Sequence, residues 1–276
     1  MMAQYLLPHH LLSRLAGCVA ECRWPWFKNP LIEWFVKSYQ VNMSEAEITD
    51  PTAFAHFNDF FTRALKADAR IFVDAPGSIA CPVDGAISQI GDIDAGRIFQ
   101  AKGHEFSTYD LLGGSLALEK EFDGGKFTTV YLSPKDYHRI HMPVSGILRK
   151  MIYVPGRLFS VSPLTTSKVP SLFSRNERMV AIFDTEFGPM AMVLVGAMIV
   201  ASIETVWAGL VTPPKRRLQK FSYGEEIHLK KGEELGRFKL GSTIVMLFGK
   251  DVMDWEQALT PDQSVQMGQL MGNKTS

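Results

Sequence analysis

What most narrows the fold of this sequence is its cadence from about residue 70 onward, where short apolar runs alternate with turn signals. Turns are marked by Pro82-Val83-Asp84-Gly85, Gly113-Gly114, Asp123-Gly124-Gly125, Val154-Pro155-Gly156 and Lys231-Gly232. Between them lie pieces of strand length and composition: 127–132, 179–183, 190–195, 199–206 and 244–248. The longest nearly apolar stretch, 189–203, falls short of the roughly 20 residues a membrane-spanning helix needs, and Pro189 and Gly196 interrupt it. It too reads as strand material. The expectation is an α+β, β-rich fold, with a barrel- or sandwich-like body over residues 67–276. Residues 268–276 read as a frayed tail.

Residues 1–66 have a different texture. Leu11, Leu12, Leu15, Ala16 and Val19 recur at helical spacing. Trp24-Pro25-Trp26 breaks that run, and Leu31, Trp34, Phe35 and Tyr39 resume it. Arg14, Arg23, Lys28 and Lys37 outnumber Glu21 and Glu33. Amphipathic helices that are aromatic and slightly basic suit a membrane interface, or they pack on the protein's own core. Asp50-Pro51 predicts an N-cap with proline at the first helical position, and Phe54, Phe57, Phe60, Phe61 and Leu65 would line one face of the helix that follows. The whole segment, residues 1–66, is expected to form a helical unit on one or the other of these surfaces.

Lys plus Arg equals Asp plus Glu at 29 each, so the chain lacks the basic surplus that nucleic-acid binding requires. Cys18, Cys22 and Cys81 form no zinc-type spacing with one another or with histidine, so no metal site is expected. No phosphate-cradling glycine motif and no Gly-x-Ser-x-Gly elbow occurs.

The densest polar cluster is Ser133-Pro134-Lys135-Asp136-Tyr137-His138-Arg139-Ile140-His141. Two histidines three residues apart, in turn chemistry after a strand, could both line one pocket and serve as acid or base near neutral pH. Asp84, in a turn before Gly85, could orient one of them. Leu240-Gly241-Ser242-Thr243 sets a permissive residue before a hydroxyl at the head of an apolar run. Such a pair is ordinary turn chemistry; it gains meaning only beside a base.

These segments together resemble the bacterial phosphatidylserine decarboxylases, over about residues 5–250. The carriers are Pro82-Val83-Asp84-Gly85, Lys102-Gly103-His104, the stretch from Leu132 to Pro143, Tyr153-Val154-Pro155-Gly156 and Asn176-Glu177-Arg178. Further along come Phe183-Asp184-Thr185-Glu186-Phe187-Gly188-Pro189, Gly196-Ala197, Ile203-Glu204-Thr205-Val206-Trp207, Gly236-Arg237-Phe238 and Leu240-Gly241-Ser242-Thr243.

The resemblance implies a self-processing precursor. Ser242, with His141 as base and Asp84 as its orienting acid, would attack the Gly241 carbonyl and break the chain between residues 241 and 242. Ser242 would end as an N-terminal pyruvoyl group, the enzyme's covalent cofactor, which forms a Schiff base with phosphatidylserine, releasing carbon dioxide and phosphatidylethanolamine. His138 would return the proton, with Tyr137 as a helper, and Arg175 and Arg178 are candidates for phosphate contact. The large fragment (1–241) and the small fragment (242–276) would stay associated, and a homodimer is compatible with this picture. The lipid substrate implies a peripheral location on the cytoplasmic side of the cytoplasmic membrane, with Trp24, Trp26 and Trp34 at the interface. The rival readings are a pyruvoyl-dependent decarboxylase of another amine, a serine hydrolase, and a non-catalytic peripheral membrane protein.

Overall fold

A central strand, Ser242–Phe248, organises the computed structural model, which describes residues 9–101, 103–197, 202–212, 217–239 and 242–275. On one side it pairs in antiparallel register with Lys126–Leu132, from Ser242↔Leu132 to Phe248↔Lys126; on the other it pairs with Gly188–Val195. The sheet around it has nine strands. Its path runs Gln219–Ser222, Gly146–Val154, Arg178–Thr185, Gly188–Val195, Ser242–Phe248, Lys126–Leu132, Gly85–Asp92 and Ser264–Val265, with His228–Leu229 also pairing Gly146–Val154. The path is open at both ends, so the body is sandwich-like and not a closed barrel.

Both faces of this sheet are covered, which is why its inner strands read as unbroken apolar runs instead of alternating ones. Side chains alternate between the faces along each strand. Ile244, Met246 and Phe248 join one core with Val130, Leu132, Ile140, Ile203, Leu235 and Phe238. Val245 and Leu247 join the other with Phe127, Ile152, Val180 and Val193. The first core lies under a four-stranded sheet in the order Gly209–Leu210, Ser202–Thr205, Glu234–Lys239 and Arg139–His141. The second lies under short helices that contribute Leu111, Leu118, Phe122, Leu172 and Phe173.

The C-terminal end is not frayed. Leu270–Lys274 pairs with Ser78–Ala80 on one side and Met253–Trp255 on the other. The segment is too short and too rich in Gly and polar residues to show a period, but Met271 is fully buried and pins it to the body.

The N-terminal part folds into helices His9–Ala20, Pro25–Tyr39 and Phe57–Phe61. Pro25 begins the second helix instead of merely ending the first, because proline lacks an N–H and is tolerated in the first turn. Asp50 does cap, accepting from the Thr52 N–H at 2.8 Å, but it caps only the short 3₁₀ turn Pro51–Ala53. The expected single docking helix is therefore broken in two, and His56 caps the second piece through the Asp59 N–H at 3.1 Å. Ala20, Ile32, Phe35, Val41, Phe54, Phe57, Phe60 and Phe61 form a third core of their own. Phe35 packs edge-on against Phe57 and Phe61, with ring centroids 5.0 and 6.0 Å apart. The Pro25–Tyr39 helix leaves Trp26 and Trp34 largely exposed, at 72% and 58%. Among the described residues no helix is long and apolar enough to cross a membrane.

Candidate active site

Ser242 opens the central strand with its side chain wholly buried. It shares parity with Ile244 and Met246, so its hydroxyl is on the face toward the four-stranded sheet that carries Arg139–His141. Its Oγ has no hydrogen-bond partner among the described residues. A dry, unpaired hydroxyl is costly and calls for an explanation, of which a part in chemistry is one. Leu240 and Gly241 lie outside the described residues.

The segment from residue 133 to residue 141 brackets the head of that strand. It leaves the sheet at Leu132, the register partner of Ser242. It then runs back along the strand that precedes Ser242: the Phe238 N–H donates to the His138 carbonyl at 3.0 Å, and Arg139 pairs with Arg237. Both ends of the 239–242 connection are thus held by one loop. Asp136 shapes that loop by accepting the Ser133 N–H at 2.7 Å, and burial pushes its carboxyl above the usual range.

The two histidines stand in different states. His138 has no exposed surface, and Phe61 lies against its ring with centroids 4.0 Å apart. Its Nδ1 donates to the Asp136 carbonyl at 2.8 Å, which fixes the tautomer and leaves Nε2 a bare lone pair. Nε2 has no partner among the described residues. Burial pushes this imidazole down to about 3, against the pull of the Asp136 carbonyl, so it is neutral at pH 7. His141 donates from Nδ1 to the Gly232 carbonyl at 2.8 Å, and its Nε2 accepts from the Tyr137 hydroxyl at 3.1 Å. Burial lowers its pKa as well, and raises that of Tyr137 to about 12.

Asp84 is buried and fully engaged. Its Oδ1 accepts from the Met267 N–H at 2.9 Å and from Arg70 Nε at 2.9 Å, and its Oδ2 accepts from Arg70 Nη2 at 2.5 Å. Arg70 in turn reaches Glu45 at 2.9 Å. Asp84 therefore shares no hydrogen bond with His141 here, although its charge acts on that imidazole. The next residue must be glycine: a Cβ on Gly85 would stand 2.4 Å from the Tyr131 carbonyl. Arg70 carried no sequence signal; only its partner in space gives it a place.

The two arginines expected near phosphate divide. Arg178 is a structural group, its guanidinium donating to the carbonyls of Leu111, Ser174, Asn176 and Asp110. Arg175 stands over the Phe159 ring at 5.1 Å. Cys81 donates to the Val83 carbonyl, and burial pushes its thiol up to about 12, the mark of an inert thiol.

Comparison with known proteins carries the resemblance past residue 250, into the C-terminal strands. A family model described as phosphatidylserine decarboxylase matches residues 57–273, and a second, described as PSD, matches residues 1–40. A protein of Pseudomonas putida (strain W619) named phosphatidylserine decarboxylase proenzyme is 65% identical over 98% of this chain and 96% of its own length. Proteins of the same name from Stutzerimonas stutzeri (strain A1501) and Ectopseudomonas mendocina (strain ymp) are each 64% identical, over 98% and 99% of this chain and 93% and 96% of their own lengths. The chain belongs to the phosphatidylserine decarboxylase family.

Proposed function

We propose that this chain is a phosphatidylserine decarboxylase made as a self-processing precursor, broken between Gly241 and Ser242, with a pyruvoyl group formed from Ser242. One observation carries the reading: the Ser242 hydroxyl is buried, and unpaired among the described residues, at the head of the central strand, on the side of the histidine-bearing loop. That environment fits a group derived from residue 242, because it offers no competing hydrogen bond from the described residues and excludes water.

The first step is attack by Ser242 on the carbonyl before it, and it needs a base. With His141 in that role, the Tyr137 hydroxyl has to leave Nε2 first, and Asp84 supports the imidazolium by its charge. A second assignment, His138 as the base, is favoured by its Nε2, which has no partner among the described residues. After cleavage, the pyruvoyl group supplies an electrophile for the substrate amine and an electron sink as carbon dioxide leaves. His138, held neutral with Nε2 open, can take the proton that the amine sheds and return one to the carbon that loses the carboxylate.

Substrate in a bilayer explains the N-terminal helices. Trp24, Trp26 and Trp34 are 62%, 72% and 58% exposed, with Leu15 and Val19 also outward, which supports residues 1–66 as a peripheral membrane unit. A decarboxylase of a soluble amine has no use for that surface.

Intact-mass measurement of the purified protein tests the proposal. Two polypeptides are expected, residues 1–241 and 242–276, the smaller blocked to stepwise N-terminal degradation. A single uncut chain in an active preparation sinks it. Ser242→Ala, His141→Ala and Asp84→Ala are expected to leave the chain whole, and His138→Ala to permit cleavage and abolish decarboxylation. If His138→Ala blocks cleavage while His141→Ala permits it, the second assignment replaces the first.

A further inference from the structure

Among the described residues two guanidinium groups are almost wholly buried, Arg178 at 2% exposure and Arg63 at 4%, and the fold treats them in opposite ways. Arg178 spends its donors on four backbone carbonyls. Arg63 makes one hydrogen bond, from Nη2 to the Lys135 carbonyl at 3.1 Å, and sets its cationic face over the Phe60 ring at 5.6 Å. Its Nε and Nη1 have no partner among the described residues. A guanidinium stays charged, so donors left dry are costly unless they are kept for something.

The surrounding acids are not that something. Asp84, Asp136 and Glu45 act on Arg63 through their charge, yet Asp84 is bonded by Arg70 and the Met267 N–H, Asp136 by the Ser133 N–H, and Glu45 by Arg70. Arg63 also lines a cavity of about 310 Å³ together with Arg70, Asp84, Lys135 and Tyr137. It follows Phe61, the residue that packs on His138, by two positions, and its charge helps to keep that imidazole neutral. The unpaired donors therefore stand beside the chemistry.

We propose that Arg63 is an anion-binding residue of the substrate site, and that its ligand is the phosphodiester of the phospholipid. The inference rests on the decarboxylase reading above. The substrate offers two oxyanions near its amine, the α-carboxylate and the phosphodiester. A fixed guanidinium on the carboxylate would stabilise the charge that has to be lost, which raises the barrier. The phosphodiester keeps its charge from substrate to product, and its oxygens match the guanidinium fork. Nε and Nη1 are closed to water in the uncut chain, so Arg63 meets the ligand by turning into the cavity it already lines.

The test uses full-length protein, wild type beside Arg63→Met and Arg63→Lys, with the processed fraction of each assayed on phosphatidylserine in mixed micelles. Arg63→Met is expected to raise KM roughly ten- to a hundredfold and Arg63→Lys by less. Two soluble competitors separate the oxyanions: glycerophosphoethanolamine carries the phosphodiester without a carboxylate, and serine the reverse. Inhibition by glycerophosphoethanolamine should weaken as KM rises, while inhibition by serine holds. Loss of serine inhibition alone overturns the phosphodiester assignment, and unchanged KM in both variants overturns the site. Should Arg63→Met not fold, calorimetry of glycerophosphoethanolamine on wild type and Arg63→Lys takes its place. Weaker binding to Arg63→Lys is then expected, and equal affinity overturns the site. A wild-type preparation without decarboxylase activity refutes the underlying reading, whatever Arg63 does.

Discussion

The neutral, sealed state of His138 has a measurable consequence for stability. In the folded chain this imidazole is pushed to about 3, whereas an unfolded histidine titrates near 6.5. Between those values the unfolded state binds the proton and the folded state does not, so the contribution is fully present above about pH 6.5 and is lost as pH falls toward about 3. The whole difference corresponds to roughly 5 kcal/mol, and the part lost between pH 7.5 and pH 5.0 to about 2 kcal/mol. The comparison should be made in a Ser242→Ala background, which keeps every chain uncut, with and without His138→Gln. Urea unfolding at pH 7.5 and pH 5.0 reads each stability. All other titrating groups are common to both chains, so the difference of differences isolates His138. The chain with His138 should lose about 2 kcal/mol more on acidification than the chain with glutamine. Equal losses would refute the claim that the fold excludes a proton from this ring.

Three further outcomes follow from the packing. Arg178→Met removes a buried guanidinium that bonds four carbonyls and should cost about 3 kcal/mol or more in a thermal or urea melt; a cost under about 1 kcal/mol would contradict its structural role. Arg70→Met removes the main partner of Asp84 and should slow self-cleavage at least several-fold on a denaturing gel, with Arg70→Lys restoring part of the rate. An unchanged rate would mean that the Asp84 carboxylate is dispensable or held by Met267 alone. Trp26→Ala with Trp34→Ala should lower sedimentation with anionic vesicles about tenfold and leave the melting temperature nearly unchanged, since both rings are mostly exposed.

Much of the fold could be read from turn spacing and apolar runs, because a sheet buried on both faces writes continuous hydrophobic segments such as Ile244 to Phe248. The amphipathic N-terminal helices were legible for the same reason, by their period. What stayed hidden was non-local. The pairing of Leu270–Lys274 with Ser78–Ala80 joins segments nearly the whole body apart, and no window of sequence reports it. Openness of the sheet is a property of its edges, which carry no motif. At the candidate site, Ser242, His138, His141 and Asp84 were singled out through their neighbours in sequence. Arg70, Arg63 and Phe61 were not, since each is a common residue type whose meaning comes from what it packs against: a carboxylate, the Lys135 carbonyl and the Phe60 ring, an imidazole ring. The Gly232 carbonyl, which holds His141, lies on a turn that signalled only a turn.

The placement of Ser242–Phe248 also sets the direction in which this protein can be made. Its backbone is paired along both edges and its apolar side chains are fully buried, a burial worth on the order of 10 kcal/mol as an upper figure. Cleavage ahead of Ser242 would turn the middle strand of a sheet into a separate molecule, wrapped by neighbours that formed around it while the chain was one. Assembly would then be encoded in the precursor and absent from the product. Unfolded precursor should renature at a yield independent of dilution, whereas the cut form, once unfolded, would face a bimolecular search with an apolar strand exposed. The mature protein would be durable because it is trapped, and each copy would be folded only once.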